Sequence, residues 1–104
     1  MKATKVLGRI KGDYVIENKI TEFTIVSEAK TNNYGKMECD VLCNDVAKSS
    51  GKWQLNQQAN NALIDKFQEE TLNWIGKKIP IYTEKYDSGI GINVDVKKLA
   101  EVLA

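Results

Sequence analysis

The side chains that could carry out catalysis are few, because none of the 104 residues is histidine. Histidine is the usual general base, the commonest metal ligand and the side chain that titrates near neutral pH. Its absence excludes Ser-His-Asp and Cys-His nucleophilic catalysis within this chain. The adjacent carboxylates Glu69 and Glu70 are typical of a charged helix face. We find no catalytic constellation, and we predict that the protein is not an enzyme.

The cysteines and glycines also fail to form a cofactor or metal site. Cys39 and Cys43 lie four residues apart in a predicted strand, which separates them by about 13 Å at about 3.3 Å per residue. A disulfide needs Cα atoms within about 7 Å, and two thiolates fall short of the four ligands that structural zinc prefers. Gly89 and Gly91 lack the third glycine and the following helix of a phosphate loop. We predict reduced core thiols, no metal and no cofactor.

Aromatic rings beside lysines are the remaining candidates, and they indicate a nucleic-acid ligand. Proteins that bind single strands without sequence preference stack bases on aromatic rings and hold the phosphates in a cationic groove. The stacking candidates lie near predicted turns or beside a lysine: Tyr14, Tyr34, Tyr82, Tyr86 and Trp53. The lysines that could contact phosphate are Lys11, Lys30, Lys36, Lys52 and Lys85. The alternatives are a partly buried surface ring for each tyrosine, a staple at the start of a helix for Trp53, and simple solvation for each lysine.

The overall charge limits the affinity of any such contact, since 15 Lys and Arg residues stand against 14 Asp and Glu residues. A net charge of +1 excludes a strongly basic chromatin-type binder and an acidic solvating segment. The length predicts a single domain over residues 1–104. No apolar run approaches the roughly 20 residues that span a bilayer, and the N-terminus lacks the apolar region of a signal peptide. We therefore expect a cytoplasmic protein with no membrane partner.

Alternating apolar and β-branched side chains predict a mainly β fold. The predicted strands are residues 5–10, 20–29, 36–44, 78–83 and 90–96. Residues 11–13 have turn chemistry, and residues 45–52 are expected to be a loop. The second and third strands should form a hairpin whose solvent-facing side carries Glu38 and Asp40. Pro80 lacks an amide hydrogen, which predicts an edge strand or a bulge.

One helix is predicted between the third and fourth strands. Apolar residues recur at helical spacing over residues 57–73, with Asn56 as the N-cap and Gly76 at the C-terminal end. A second, short helix should follow Asp95, which could cap it. The aromatic residues expected in the core are Phe23, Phe67 and Trp74.

The order of three strands, a helix and two strands is that of the OB-fold, a five-stranded, partly open Greek-key barrel. The segment KVLGRIKGDY resembles the opening strand of OB-fold single-stranded-DNA-binding proteins, and FTIVSEAK and MECDVLCNDVAK resemble their second and third strands. The block WQLNQQANNALIDKFQEETLNWIGKKIPIY resembles small archaeal and phage-encoded OB-like proteins in its LN cap, its helix and its WIGK turn. Together these segments cover most of the chain. The extended segment around Trp53 departs from the bacterial members.

This resemblance implies an OB-fold domain that binds single-stranded DNA or RNA. A second copy of the chain, in a homo-oligomer, is the other partner that we consider. Loops flank the binding face of an OB-fold, which favours Tyr34 and Tyr86 as the better stacking pair. Glu38 and Asp40 oppose a phosphate path along the third strand unless that face points away from the groove. The same two carboxylates favour the rival hypothesis, a protein-interaction or oligomerisation module that uses the barrel face or an exposed strand edge.

Overall fold

The computed structural model describes the backbone of residues 6–101 and the side chains of residues 8–101. Seven strands occur in this range: β1 (Val6–Arg9), β2 (Glu22–Ile25), β3 (Lys30–Thr31), β4 (Met37–Cys43), β5 (Ser50–Gln54), β6 (Lys78–Tyr86) and β7 (Gly89–Val94). The helical elements are α1 (Gly12–Glu17), α2 (Gln57–Phe67), a 3-10 turn (Thr71–Trp74) and α3 (Val96–Leu99). None of these helices is long and apolar enough to cross a bilayer. The fold is mainly β, as predicted, and the predicted start of the first strand at residue 5 lies outside the described residues.

The strands form one curled, open sheet, a half-barrel, in the order β1-β5-β4-β2-β6-β7, with β3 paired to the start of β4. Neighbouring strands are antiparallel except β1 and β5, which are parallel. β2 and β4 form the predicted hairpin, in which Phe23 pairs with Cys43 and Ile25 with Val41. The two edges of the sheet are β1 and β7, so the described strands number more than the five expected.

Residues 45–52, which were expected to be a loop, contain the start of β5. Their small polar residues have turn chemistry, but Ser50 pairs with Leu42 across the sheet. The remaining loop is short because Asp45 closes it. Its carboxylate accepts hydrogen bonds from the Ser49 amide N–H at 2.8 Å and from the Ser49 hydroxyl at 2.7 Å. Cross-strand pairing therefore overrides the local turn preference.

Residues 11–13, predicted as a turn, begin helix α1 instead. Lys11 is the N-cap residue, but its side chain makes no capping hydrogen bond, so the usual sequence signal for a helix start is missing. Tertiary packing fixes this helix. Val15 is buried, and an added Cβ on Gly12 would come within 2.4 Å of the Ile90 side chain in β7. Gly12 therefore serves the close approach of α1 to β7.

Helix α2 begins where predicted and ends earlier. The Asn56 side chain caps it by accepting a hydrogen bond from the helix backbone at 2.8 Å. The helix stops at Phe67 because Gln68 adopts a positive φ of 75°. The Gln68 carbonyl then accepts the indole N–H of Trp74 at 2.9 Å, which draws the 3-10 turn back onto the helix end. Gly76, with a φ of 84°, ends this later segment rather than α2.

Pro80 lies in β6, which is an interior strand and not the predicted edge strand. The strand changes its partner at this residue. Pairing with β2 reaches Pro80, opposite Glu22, and pairing with β7 begins at Ile81, opposite Val94. The missing amide hydrogen is tolerated at this change of partner. The register between β2 and β6 also runs through Pro80 without a shift, so neither predicted alternative, an edge strand or a bulge, is found.

The core lies on one side of the sheet, beneath α2. The rings of Phe23 and Trp53 meet edge to face with 5.1 Å between their centroids. Leu63 and Phe67 of α2 belong to the same buried cluster, as does Trp74. The core positions predicted for Phe23, Phe67 and Trp74 are therefore confirmed. Asp95 also caps α3 as predicted, accepting the Lys98 amide N–H at 3.2 Å.

Cys39 and Cys43 are buried free thiols on the core side of β4, as predicted. Burial raises the pKa of Cys39 to about 12, with further contributions from Asp40 and Glu38. Burial also raises the pKa of Cys43 to about 11, with a further contribution from Asp45. Because the thiolate is the reactive form, these raised pKa values favour the protonated, weakly reactive thiol of both cysteines at neutral pH.

Candidate functional site

A cleft lies where the end of β1 and the start of α1 face the β6–β7 hairpin. One part of it is a cavity of about 330 Å³, lined chiefly by residues 9–13, Gln54, Asn56 and residues 88–92. A second cavity of about 400 Å³ shares Asn56 and the hairpin and adds Gln57, Gln58 and Tyr86. We call these two adjoining cavities the cleft. Its walls thus come from both edges of the sheet and from the first turn of α2.

The edge of β7 is covered beside the cleft by one side chain of α2. The Val94 amide N–H donates to Gln58 Oε1 at 2.8 Å, and Gln58 Nε2 donates to the Val94 carbonyl at 2.9 Å. One side-chain amide therefore takes the place of a neighbouring strand. This pairing holds the first turn of α2 against β7 and protects that stretch of edge from pairing with another chain.

Tyr86 forms an aromatic surface on the cleft wall. Its ring atoms Cε2 and Cδ2 lie 2.6 and 3.0 Å from the position that a Cβ would take on Gly91, so glycine leaves room for the ring. Its hydroxyl donates to Glu84 Oε2 at 3.0 Å and accepts from Asn93 Nδ2 at 2.8 Å. The side chain is nevertheless 43% exposed. The ring is therefore fixed in place while it stays open to solvent.

Asn93 ties several polar side chains together from a position that is only 2% exposed. Its Oδ1 accepts a hydrogen bond from Asn56 Nδ2 at 2.7 Å. Its Nδ2 lies 3.3 Å from the Tyr82 hydroxyl, 2.8 Å from the Tyr86 hydroxyl and 2.9 Å from Glu84 Oε2. We call Asn93, Tyr82, Glu84 and Tyr86 the Asn93 network. It links the N-cap of α2 to one face of β6 and orients both tyrosines.

Arg9 and Lys11 give the cleft its positive charge. Both side chains are exposed and line the first cavity, together with the carboxylate of Asp13. Among the side chains of residues 8–101, the one salt bridge joins Lys52 and Asp40, so neither cation of the cleft is held in an ion pair. Sequence reasoning missed Arg9 as a site residue. The sequence feature that could have identified Arg9 is that it is the chain's single arginine and lies at the end of the first strand.

Tyr34 lies at the tip of the β3–β4 hairpin and is 81% exposed. Asn32 Oδ1 shapes this tip by accepting the amide N–H groups of Tyr34 at 2.9 Å and Lys36 at 3.0 Å. Asn32 Nδ2 also donates to Gln54 Oε1 at 3.0 Å, and Gln54 lines the first cavity of the cleft. Tyr34, Lys36 and the exposed Lys30 of β3 therefore share a hairpin that is tied to the cleft wall through Asn32 and Gln54.

The two candidates on β5 are placed less favourably. Trp53 is 0% exposed, stands opposite Cys39 in the sheet and packs against Phe23. The stacking role predicted for Trp53 is therefore corrected to a core role, because no face of the ring can meet a base. Lys52 lies on the outer face of the sheet and pairs with Asp40 at 3.3 Å, so its charge is partly offset.

Tyr14 is engaged inside the protein. Its hydroxyl lies 2.6 Å from Ser49 Oγ and donates to Asp45 Oδ2 at 3.4 Å. Burial alone would raise the pKa of Asp45, but the hydrogen bonds from Ser49 and Tyr14 outweigh it and hold the pKa below its ordinary value. We call Tyr14, Asp45 and Ser49 the Asp45 network. It joins α1 to the β4–β5 loop, which favours the alternative of a partly buried ring for Tyr14.

Tyr82 and Lys85 lie on opposite faces of β6, because side chains alternate along a strand. Tyr82 shares its face with Tyr86 and is equally exposed, at 43%. Lys85 stands opposite Ile90 in β7 and projects from the other face. The structure therefore groups the two tyrosines and separates Lys85 from them.

The cleft offers an aromatic surface at Tyr86, two cations at Arg9 and Lys11, and amide side chains from Gln54 to Gln58. Such a set can stack a flat ring and hold an anion beside it. Within the described part of the chain, no three His, Cys, Asp or Glu side chains come together as a metal site would need. No protein-family model, no curated protein and no solved structure matches this chain.

Proposed function

We propose that the protein binds single-stranded nucleic acid, DNA in the first place, in the cleft. A base stacks on the exposed side of Tyr86, and the adjacent phosphates lie against Arg9 and Lys11. The observation that carries this proposal is the Tyr86 ring, which is fixed against Gly91 and by two hydrogen bonds yet stays 43% exposed. A ring that is ordered before binding loses little rotamer entropy when a base stacks on it. More of the stacking free energy, about 1 to 3 kcal/mol per base, is therefore retained.

The strand order supports an OB-like barrel as the scaffold for this site. β2, β4 and β5 follow one another as antiparallel neighbours, and β6 returns after α2 to pair with β2. That arrangement is the strand order of a Greek key. α2 lies between the third and fourth of the five strands β2, β4, β5, β6 and β7, as in the family that the sequence resembles. In this assignment β1, β3 and α1 are additions to the barrel, and β1 and α1 form one wall of the cleft.

A strand that leaves the cleft past Gln54 reaches the β3–β4 hairpin. There the Tyr34 ring offers a second stacking surface, with Lys30 and Lys36 as phosphate contacts. Tyr34 makes no side-chain hydrogen bond that would fix its ring, among those the structure describes, and it is 81% exposed. We therefore expect it to contribute less than Tyr86, because more side-chain entropy is lost when it stacks.

The small net charge predicts modest affinity that falls early as salt rises. Each phosphate contact to a single strand contributes about 0.7 to the slope of log affinity against log salt. Arg9, Lys11 and one or two lysines of the β3–β4 hairpin would give a slope of about 2 to 3. The protein would then bind well only at low ionic strength or when several copies share one strand.

The proposal is tested by fluorescence anisotropy of a labelled single-stranded oligonucleotide at low salt. Quenching of the intrinsic tryptophans is a poor readout, because Trp53 and Trp74 are both buried. We expect Tyr86→Leu to weaken binding by about tenfold, since one stacked base is lost. Tyr86→Phe is the matched control, because it keeps the ring and its contact with Gly91 and loses only the hydroxyl with its two hydrogen bonds, so it should lose less affinity than Tyr86→Leu. No anisotropy change at high micromolar protein, or native affinity in Tyr86→Leu, would contradict the proposal.

A second candidate function, a protein-interaction or oligomerisation module, rests on the outer face of β4. The exposed apolar side chains of Val26 and Leu42 lie near Asp40 on this face. The Val26 amide N–H donates to the Asp40 carbonyl at 2.9 Å. Leu42 is two residues after Asp40 and therefore projects from the same face of β4. Apolar side chains among carboxylates suit a protein surface better than a phosphate chain. Light scattering that shows a stable oligomer, together with no salt-dependent oligonucleotide binding, would favour this function over the first.

A further inference from the structure

Glu84 places a carboxylate between the two exposed tyrosines beside the cleft. Side chains alternate along β6, so Tyr82, Glu84 and Tyr86 project from the same face. Gly91 stands opposite Glu84 in β7 and has no side chain that could cover it. Glu84 Oε2 is held by Asn93 Nδ2 at 2.9 Å and by the Tyr86 hydroxyl at 3.0 Å. The orientation of the carboxylate is therefore set before any ligand arrives.

The Asn93 network uses one carboxylate oxygen of Glu84 and leaves the other open. A carboxylate oxygen has two lone-pair sites, and those of Oε2 are taken by Asn93 and Tyr86. Oε1 accepts no hydrogen bond from the residues that the structure describes, and the side chain is exposed. The Tyr82 hydroxyl accepts from Asn93 at 3.3 Å, and its own hydrogen meets no acceptor within the same residues. An acceptor and a donor are thus open on one face of β6.

No cation offsets the charge of Glu84 in the described part of the chain. The single salt bridge there joins Lys52 and Asp40, and Lys85 projects from the opposite face of β6. The carboxylate would repel a phosphate and attract an N–H donor. In a nucleic acid the N–H donors belong to the bases. Glu84 is therefore suited to contact a base and unsuited to contact the backbone.

The bases differ in what they offer to an open acceptor beside an open donor. Cytosine and adenine each carry an exocyclic amino group beside a ring nitrogen acceptor, and guanine carries an amino group as well. Thymine and uracil have no amino group, and their single ring N–H lies between two carbonyl oxygens. Those carbonyl oxygens would be repelled by a carboxylate. The ring N–H of thymine and uracil can still donate to a carboxylate, with one carbonyl oxygen beside it for a hydroxyl donor. These two bases are therefore disfavoured only by the repulsion between the carboxylate and their second carbonyl oxygen.

We propose that Glu84 and Tyr82 form hydrogen bonds with the edge of the base that stacks on Tyr86, an inference that rests on the proposed function. These contacts select bases with an exocyclic amino group over thymine and uracil. Glu84 Oε1 accepts from the amino group, and the Tyr82 hydroxyl donates to the neighbouring acceptor of the base. Because the selectivity rests on the repulsion between the carboxylate and one carbonyl oxygen of thymine or uracil, we expect a preference of about tenfold.

The test compares labelled oligo(dC) and oligo(dT) of equal length by anisotropy at neutral pH, with native protein and with Glu84→Gln. The glutamine keeps an oxygen for the Asn93 network and puts an amide N–H donor where Oε1 was, which suits a thymine carbonyl. Glu69→Gln is the matched control, because Glu69 is exposed, lies outside the cleft and loses the same charge. We expect native protein and Glu69→Gln to prefer oligo(dC) by about tenfold, and Glu84→Gln to lose or reverse that preference.

The outcomes separate the inference from the function on which it rests. Equal affinity of native protein for the two oligonucleotides, or a preference that Glu84→Gln leaves unchanged, overturns the inference and leaves the proposed function in place. The same holds if Glu84→Gln tightens binding of both oligonucleotides to the extent that Glu69→Gln does. If protein with a native circular dichroism spectrum binds neither oligonucleotide, the proposed function fails and the inference fails with it.

Discussion

Two hydrogen-bonded networks hold tyrosines in this protein, and they differ in what they leave open to solvent. In the Asp45 network both Asp45 and Ser49 are buried, and the Tyr14 ring packs against the core while its hydroxyl lies 2.6 Å from Ser49 Oγ. In the Asn93 network the central amide is equally buried, yet Tyr82 and Tyr86 each keep 43% of their surface exposed. A buried polar side chain can thus either join two secondary-structure elements or fix the orientation of aromatic rings that stay exposed at the surface.

The chemistry of the two centres explains this difference. The carboxylate of Asp45 only accepts, and the donors that it meets come from the Ser49 backbone, the Ser49 hydroxyl and Tyr14. The amide of Asn93 has two hydrogens for three nearby oxygens, so at least one hydrogen bond must be weak or shared. The Asp45 network is therefore satisfied within the protein, whereas the Asn93 network leaves Glu84 Oε1 and the hydroxyl hydrogen of Tyr82 without partners among the described residues.

The largest effect that we predict follows from a mutation that breaks the Asp45 network. Asp45→Ala removes the acceptor of the buried Ser49 amide and hydroxyl, which should lower the free energy of unfolding by about 2 to 3 kcal/mol. No member of the Asp45 network lines the cleft, and the cleft wall formed by the start of α1 is also held by the burial of Val15 and the packing of Gly12 on Ile90. Oligonucleotide affinity should therefore stay close to native for the folded fraction. Urea unfolding followed by circular dichroism, beside an anisotropy titration, measures both quantities.

Acid titration with Asp45→Asn is the control for that prediction. The folded-state pKa of Asp45 lies below its ordinary value of 3.8, so its charge stabilises the fold above that pH. This stabilisation is lost as the pH falls through the folded-state pKa. Asp45→Asn should therefore remove part of the acid dependence of the unfolding free energy. An unchanged acid dependence, or a small loss of stability in Asp45→Ala, would mean that the network does not join α1 to the loop as described.

A smaller effect is expected from a change that moves the Tyr86 ring without removing it. The Cβ of Gly91→Ala would fall 2.6 Å from Tyr86 Cε2, so the ring must leave its place. We predict a loss of about 1 kcal/mol in stability, and a loss of about fivefold in oligonucleotide affinity. Gly8→Ala is the matched control, since an added Cβ there meets nothing within 4 Å. Equal affinities of the two variants would show that the position of Tyr86 does not matter for binding.

The parts of the fold that depend on near neighbours could be predicted from the sequence. The caps at Asn56 and Asp95 each accept from an amide three residues away, and both predictions are confirmed. Helix α1 could not be predicted in the same way, because its N-cap Lys11 makes no side-chain hydrogen bond and Gly12 looks like a turn residue. The early end of α2 was missed because Gln68, a residue with ordinary helix propensity, adopts a positive φ.

The candidate site could be predicted only in its exposed tyrosines and in lysines such as Lys11. The turns that flank Tyr34 and Tyr86 have recognisable residue types. The burial of Trp53 depends on the face of β5 that meets the core, which its neighbours in sequence do not reveal. Asn93 enters the site through contacts such as its hydrogen bond with Asn56, 37 positions away. No local pattern marks a pair at that separation.

The most direct test of the central claim, that Arg9 and Lys11 hold a single strand in the cleft, is the salt dependence of oligonucleotide affinity. Titrations with native protein should be compared with the double variant Arg9→Gln/Lys11→Gln and with the control Lys97→Gln/Lys98→Gln on α3, which has the same charge change outside the cleft. We predict that the cleft variant lowers the slope of log affinity against log salt by about 1.4, because two phosphate contacts are lost, and that the control nearly keeps the native slope. Equal slopes for the two double variants would contradict the claim.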